Sequence, residues 1–249
     1  MSKPEISLIC VYNKPDMYKN VLIGSLKKIK AENIEVIGVN SVKEKFTSAS
    51  AALNHGVKLS HGDILLFVHQ DIEFLNPEGL SAMVEAVRKT KTGDIIGAAG
   101  TALVNGRPVL CTSILWGKLY KTYNAIRIRK GELRPVEAVD ECFFGMKRET
   151  WEQHPFDEKT CDDWHFYAVE LCMYARSKKH QVYVTKVPVN HLSEAGTKTK
   201  GYFDTMVKLA EKYQSQFEYI VSPTAFIKIS DVKKRANHAY IKLFLKIPV

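Results

Sequence analysis

No C-x-x-C pair occurs in this 249-residue chain, and its five cysteines, Cys10, Cys111, Cys142, Cys161 and Cys172, are odd in number. Most sit inside apolar runs, which argues against a thiolate zinc site or a disulfide framework and for reduced packing residues. Also missing is any unbroken apolar stretch near the roughly 18 residues that a membrane span needs. The start, Met1 to Glu5, is polar and runs straight into a strand-like segment, leaving no room for the charged and apolar regions of a secretory signal. These absences lead to the expectation of a cytoplasmic chain, with peripheral contact at the inner face of the membrane as an open alternative. The turn Tyr12-Asn13-Lys14-Pro15-Asp16 has no G-x-G-x-x-G, which excludes the usual dinucleotide fingerprint. No repeat and no low-complexity tract is present.

What is there is ordinary globular composition, 45% hydrophobic and 25% charged, enough for one large domain or two small ones. Lys and Arg (36) outnumber Asp and Glu (27), giving a formal charge of +9 and favouring anionic partners. The basic residues are spread over many segments with no interleaved aromatic motif, so nucleic acid is not an expected partner.

The first hundred residues alternate short apolar runs with amphipathic segments, the pattern of β-α-β units that build a parallel sheet. Strands are expected at Ile6–Val11, Ile34–Val39, Ile64–Val68 and Ile95–Ala99. Helices are expected at Met17–Lys30, Ser48–Ser60 and Glu78–Thr90, with Asp16, Thr47 and Asn76 as N-terminal caps. From Asn105 to Arg148 the pattern changes to alternation, with turn signals at Asn105-Gly106 and Lys130-Gly131, which suggests antiparallel strands or a long flap. Arg127, Arg129 and Lys130 there either clamp phosphates or are simply solvated. Helical periodicity returns at Asp162–Lys179, a strand follows at Gln181–Val187, and a further helix spans Gly201–Phe217. The tail from Ser222 mixes apolar residues with lysines and Arg235; it either lies on an anionic membrane surface or packs against its own domain.

The sharpest signal is Gly62-Asp63-Ile64-Leu65-Leu66-Phe67-Val68-His69-Gln70-Asp71, a buried-strand pattern that stops at a polar cluster. In open α/β sheets, ligands bind beyond the carboxyl ends of the strands, so this strand aims His69 and Asp71 at a ligand. Asp71 as a mere cap is the bland alternative.

With these elements placed, several segments in order resemble the nucleotide-sugar glycosyltransferases of the GT-A type, especially glycosyltransferase family 2. Ile6 to Asn13 is similar to the opening strand that ends in V-Y-N, and Ile34 to Ser41 to the second strand, with Asn40 where the family usually has Asp. Ser50 to Gly56 resembles the helix carrying an Asn near the donor. Gly62 to Asp71 resembles the strand ending in D-x-D, with His69 in place of the first Asp. Asp140-Glu141-Cys142-Phe143-Phe144-Gly145-Met146 resembles the acceptor-side segment. Phe156-Asp157-Glu158 with Trp164 to Leu171 resembles the F-D-E and catalytic-helix region, and Val189-Asn190-His191-Leu192-Ser193 the closing segment with its metal histidine.

The resemblance implies an α/β fold of the Rossmann-like GT-A type, a mostly parallel central sheet flanked by helices with an antiparallel insertion. It implies one domain over residues 1–221, with a nucleotide-binding half (1–104) and an acceptor-side half (105–221), followed by a basic tail (222–249). It further implies inverting, metal-assisted transfer from a nucleoside diphosphate sugar, UDP- or dTDP-linked, to a hydroxyl of a glycan or lipid-linked acceptor in surface polysaccharide synthesis.

The chemistry sets roles. A departing diphosphate must be neutralised, which Mn²⁺ or Mg²⁺ does as a Lewis acid. Asp71 supplies oxygen and His191 imidazole, a mixture that suits Mn²⁺. His69 is either a further ligand or a residue that contacts the nucleotide or sugar. Val11, Tyr12 and Asn13 are expected against the base, Asn40 and Asn54 as amide partners and Gln70 beside them; Asp140, Glu141, Gly145 and Trp164 are expected on the acceptor side. Inversion needs a base for the acceptor hydroxyl, and Ala168 stands where the family's Asp often lies. On a helix from Asp162, the residues Asp163, Tyr167 and Glu170 share one face, so Asp163 in the first turn is the expected base, with Asp162 and Glu170 as alternates. Asp162 and Asp163 as helix caps remain open. So does a different class of function: a catalytically weak nucleotide-sugar-binding protein acting as a partner subunit.

Overall fold

The computed structural model describes residues 4–31, 33–192 and 198–244. Strand β1 (Ile6–Tyr12) leads into a helical segment made of α1 (Pro15–Met17), a π-helical stretch (Tyr18–Ile23) and α2 (Gly24–Lys28). Then come β2 (Ile34–Asn40), α3 (Ala49–Leu59), β3 (Ile64–Val68), β4 (Ile72–Phe74), α4 (Glu78–Lys89) and β5 (Ile95–Gly97). A strand-rich stretch follows, with β6 (Ala99–Val104), β7 (Arg107–Thr112), β8 (Leu115–Trp116), β9 (Arg134–Pro135), β10 (Ala138–Val139) and β11 (Phe143–Lys147). The chain continues through α5 (Arg148–Gln153), α6 (Tyr167–Ser177), β12 (Val182–Val184), β13 (Val189–His191), α7 (Lys200–Tyr213), β14 (Tyr219–Val221), β15 (Phe226–Lys228) and α8 (Val232–Phe244).

Seven strands form the central sheet in the order β2-β1-β3-β11-β5-β12-β9. β1 runs parallel to β2 and β3, and β12 parallel to β5, while β11 lies antiparallel between β3 and β5. All five residues of β3 are buried because helices cover both faces of the sheet. Its side chains alternate between two cores: Leu65 and Phe67 pack with α3, α6 and α7, whereas Ile64, Leu66 and Val68 pack with α2 and α4. This is a three-layer α/β/α arrangement with the strand tip of β3 at its centre.

Most strand pairs after β5 are antiparallel, the first of the two expected arrangements, but β8 pairs parallel with β13. β6 and β7 form a hairpin whose central residues, Asn105 (φ 51°) and Gly106 (φ 72°), both adopt left-handed backbone, the requirement of a type I′ turn. The fourth predicted strand stops short of Ala99. At Gly97 the chain leaves the central sheet, and a Cβ there would stand 2.6 Å from Val139, so glycine is what lets β10 pass so close.

Other boundaries moved for local reasons. The helix expected from Asp162 begins at Tyr167, because Phe166 takes a left-handed conformation (φ 67°) and residues 162–166 are not helical. The hydroxyl of Ser48, not Thr47, caps α3 by accepting the Ala51 N–H; Lys14 and Pro77 occupy the cap positions assigned to Asp16 and Asn76, without a side-chain bond. The tail expected from Ser222 continues the domain as far as Phe244. β14 pairs with β15, and Val232, Ala236 and Ala239 of α8 are buried in the same core as α7, so these residues are taken up by their own domain. The last residues of that tail, 245–249, and Ser193 of the closing segment lie outside the described residues. Among the described residues no helix is long and apolar enough to cross a membrane, and all five cysteines are buried and unpaired.

Candidate active site

Beyond the carboxyl end of β3, His69, Asp71 and His191 converge, with one ligating atom from each lying within 4.8 Å of the others. Two elements bring them together. His69 and Asp71 lie just past β3, and β13 pairs antiparallel with β4, placing His191 opposite Ile72. His191 Nε2 lies 3.3 Å from Asp71 Oδ1, and the two histidine rings are 5.6 Å apart. Burial holds His69 below the usual histidine range, the neighbouring His191 adds to that, and Asp71 and Asp140 oppose it. His69 is therefore a neutral imidazole with a lone pair to offer.

Whether this group fits a metal is tested by His191. Both of its ring nitrogens are buried and make no hydrogen bond among the described residues, although Nε2 lies beside the Asp71 carboxylate. Burying a polar ring unsatisfied costs roughly 1–3 kcal/mol, and a cation shared with Asp71 would remove that cost. Two imidazoles and one carboxylate suit Mn²⁺ or a similar first-row divalent ion better than Mg²⁺, which prefers an all-oxygen shell. The residues fit.

Two cavities meet at this group. The first, about 270 Å³, is bounded by Val11, Tyr12, Asn13 and Ser41 on the β1–β2 side. The second, about 560 Å³, has Trp116, Tyr123, Asp140, Tyr202 and the turn Ser222–Thr224 in its walls. His69, Asp71, Glu141 and Trp164 line both. In the first, Tyr12 stacks on Tyr18 with ring centroids 4.2 Å apart, and Gly38 makes room for the pair, since a Cβ there would fall 2.5 Å from the Tyr18 hydroxyl. Gln70 holds the tip of β1 against that of β3. Its carbonyl accepts the N–H groups of Asn13 and Lys14, and its amide donates to Asn13 Oδ1.

Several predicted residues stand elsewhere. The Asn54 amide donates to Phe156 O and the Glu158 carboxylate and accepts from Trp151 Nε1 and the Phe156 N–H, so it braces the 151–158 segment and does not line either cavity. Asn40 Oδ1 accepts the Lys43 N–H and organises a turn; the neighbouring Ser41 lines the first cavity in its place. Gly145 is in the middle of β11, where a Cβ would lie 2.5 Å from Leu66, so it permits sheet packing and stands away from both cavities.

The expected base is displaced too. Because residues 162–166 are not helical, Asp163 does not share a helical face with Tyr167 and Glu170; its carboxylate rests against Gly201 at the start of α7, and Asp162 pairs with Lys208. Both border a separate depression beside α7. Glu170 is wholly buried among His154, Lys212 and Tyr213, with the Lys212 ammonium at 2.7 Å. Burial would raise its pKa, but His154 and Lys212 prevail and hold it below the usual carboxylate range.

Besides Asp71, Glu141 lines both cavities and Asp140 the second. Burial, with Asp140 beside it, pushes Glu141 up to about 8, against the pull of the N–H groups of Phe166, Tyr167 and Ala168. Its Oε1 is buried without a hydrogen-bond partner among the described residues. Sequence reasoning missed two further residues. Tyr167 places its hydroxyl 3.1 Å from His69 Nε2, and Trp116 packs its ring on His191 with a buried Nε1 that has no hydrogen-bond partner among the described residues. Tyr167 was visible only as a helix position. Trp116 lies in the irregular 105–148 stretch, where no periodicity assigns a direction to a side chain.

No curated protein matches the chain in a sequence comparison. Among solved structures, the crystal structure of GalNAc-T7 with UDP, GalNAc and Mn2+ is similar, with TM-score 0.55 and 13% identity, covering 86% of this chain and 51% of that one. The mannosyltransferase PcManGT from Pyrobaculum calidifontis, in complex with GDP-Man and Mn2+, gives TM-score 0.55 and 14% identity over 97% of this chain and 70% of that one. S. aureus TarS gives TM-score 0.54 and 14% identity over 84% and 39%. The chain thus spans only about half of the first protein's chain and less of the third's, and at these identities the likeness shows the fold, the GT-A fold. A family profile described as "Glycosyltransferase like family" matches residues 7–216, so the chain belongs to that glycosyltransferase family.

Proposed function

We propose that this protein transfers a sugar, with inversion, from a nucleoside diphosphate sugar to a hydroxyl of a glycan or lipid-linked acceptor. The observation that carries the reading is the meeting of two cavities at one group of donors, with His69, Asp71, Glu141 and Trp164 common to both. A donor in the first cavity would set its base against Val11, Tyr12 and Asn13 and its diphosphate toward His69, Asp71 and His191. A Mn²⁺ held by these three would supply Lewis-acid stabilisation of the leaving diphosphate. The complexes of GalNAc-T7 with UDP and Mn2+ and of PcManGT with GDP-Man and Mn2+ are consistent with such a pairing. UDP- or dTDP-sugars are the donors proposed, and surface polysaccharide synthesis the setting.

The residues then divide the work. Tyr167 fixes the His69 ring through one nitrogen, and the other would be free to hold the metal, the usual arrangement of a histidine ligand and its outer partner. Trp116 backs the His191 ring in the wall of the second cavity, and Trp164 forms a wall of both cavities. Glu141 takes the acceptor hydroxyl's proton as the new oxygen–carbon bond forms and the bond to the diphosphate breaks. A carboxylate whose pKa lies near neutrality is matched to that task. Asp140, next to it, orients the acceptor.

The alternative reading, a nucleotide-sugar-binding partner subunit, draws on Ala168 in the register of the family's base. Donor hydrolysis and transfer by Glu141→Gln and Asp163→Asn separate the cases. We expect Glu141→Gln to lose on the order of 10²–10⁴-fold in kcat, while Asp163→Asn stays near wild type. In the wild type, the rate should climb as pH passes through about 8, where Glu141 ionises, and this rise should vanish in Glu141→Gln. The reverse pattern would return the base to Asp163, and metal-dependent donor binding without turnover would favour the partner subunit.

A further inference from the structure

Beside the mouth of the second cavity stands a hairpin that the proposed reaction does not use. Gly117, Lys118, Leu119 and Tyr120 are closed by reciprocal backbone hydrogen bonds between Trp116 and Lys121, each 2.9 Å long. The Gly117 N–H also donates to His191 O at 2.8 Å, which roots the hairpin on the strand carrying the metal-group histidine. Left-handed backbone at Gly117 (φ 68°) and Tyr120 (φ 49°) turns the chain, and the Tyr120 hydroxyl donates to Glu73 at 3.0 Å. The turn is therefore held, and its tip is Leu119, 77% exposed, with exposed Lys118 and Lys121 on either side. Tyr123, also exposed, packs edge-on against Trp116 in the cavity wall.

The segment's own charges have one sign. From Lys118 to Lys130 the chain carries Lys118, Lys121, Arg127, Arg129 and Lys130 and no carboxylate. All five are exposed; Lys130 pairs with Glu78, and Glu132, which accepts the Arg129 N–H, lies near Arg129. An aliphatic side chain fixed at an outermost point, tyrosines behind it and lysines beside it match the layers of a lipid surface: acyl boundary, headgroups and anionic charge. We propose that the 117–130 segment docks this protein on an anionic lipid surface and so brings the second cavity to that surface. The docking is independent of catalysis; only the idea that the cavity then receives a lipid-borne acceptor rests on the function proposed above. α8 is not the docking element, because its buried side, Val232, Ala236 and Ala239, already packs in the core.

Sedimentation with vesicles of phosphatidylglycerol and of phosphatidylcholine tests this without turnover. The wild type should partition to phosphatidylglycerol and far less to phosphatidylcholine, and rising salt should release it. Lys118→Glu with Lys121→Glu should lower partitioning by about tenfold or more, and Leu119→Ser should lower it with no change of charge. The matched reversal Lys233→Glu with Lys234→Glu on α8 should leave it nearly unchanged. Melting temperatures and the shift with UDP and Mn²⁺, measured on the same variants, report folding and the donor site separately. Absence of wild-type binding to phosphatidylglycerol, or binding lost in the α8 variant and kept in the hairpin variants, would overturn the proposal.

Discussion

Single residues divide into those whose chemistry shows in the sequence and those whose surroundings decide. Asp71 and His191 were legible because a strand pattern ends at one and a second motif supplies the other, and the structure brings them together with His69. Asn54 was not, since an amide on the right helix reads the same whether it meets a ligand or, as here, Phe156, Glu158 and Trp151. Gly38 is a third kind: nothing in a β2 glycine announces that Tyr18 lies over it. With a Cβ 2.5 Å from the Tyr18 hydroxyl and 3.2 Å from the Tyr12 ring, Gly38→Ala must displace the stacked pair at the first cavity. We expect a loss of about 1–3 kcal/mol in stability, as for overpacking, together with weaker nucleotide binding, read from urea unfolding and a nucleotide titration.

At the scale of elements, two buried or half-buried carboxylates tie segments together. Glu35 of β2 accepts from the Ser7 hydroxyl on β1 and from the N–H groups of His61 and Gly62 just before β3. Burial alone would raise its pKa, but these hydrogen bonds lower it from 4.5 to about 2. Its contribution to stability is therefore complete above pH 4.5 and is lost as pH falls from there toward about 2. Acid unfolding followed by circular dichroism should show Glu35→Gln less stable near neutrality, with the difference shrinking over that interval. A difference that holds constant down to pH 2 would contradict this account.

Glu170 links α6 to α7 through Lys212. Lys212→Met would leave a buried carboxylate with His154 and Tyr213 alone, and breaking one side of such a pair costs about 3–5 kcal/mol. Unfolding midpoints should fall accordingly while metal-dependent nucleotide binding survives, which separates a structural network from a catalytic one. The helix start also belongs to this scale. Periodicity extended α6 back to Asp162, and only the left-handed Phe166, a feature with no composition signal, moves Asp163 off the helical face and against α7.

For the whole molecule, the order of strands and helices was legible because burial on both faces writes continuous apolar runs such as β3, and amphipathic helices write a 3.6-residue period. The 105–148 stretch was not, because its strands are two to six residues long and their pairing is set by distant partners such as β12 and β13. The tail was ambiguous because a helix that buries one side in its own domain and one that buries it in lipid share the same pattern, and only α7 decides. What the assembled fold creates is the junction of two cavities at His69, Asp71 and His191.

The junction is probed most sharply by the melting-temperature shift with UDP, dTDP, GDP and CDP, each with and without Mn²⁺, on wild type and Asp71→Ala. A ligand at 100 times its Kd stabilises by about 2.7 kcal/mol, enough to read easily. We predict a Mn²⁺-dependent shift for one nucleotide that disappears in Asp71→Ala. A nucleotide shift that ignores both Mn²⁺ and the substitution, or no shift with any nucleotide, would contradict the account.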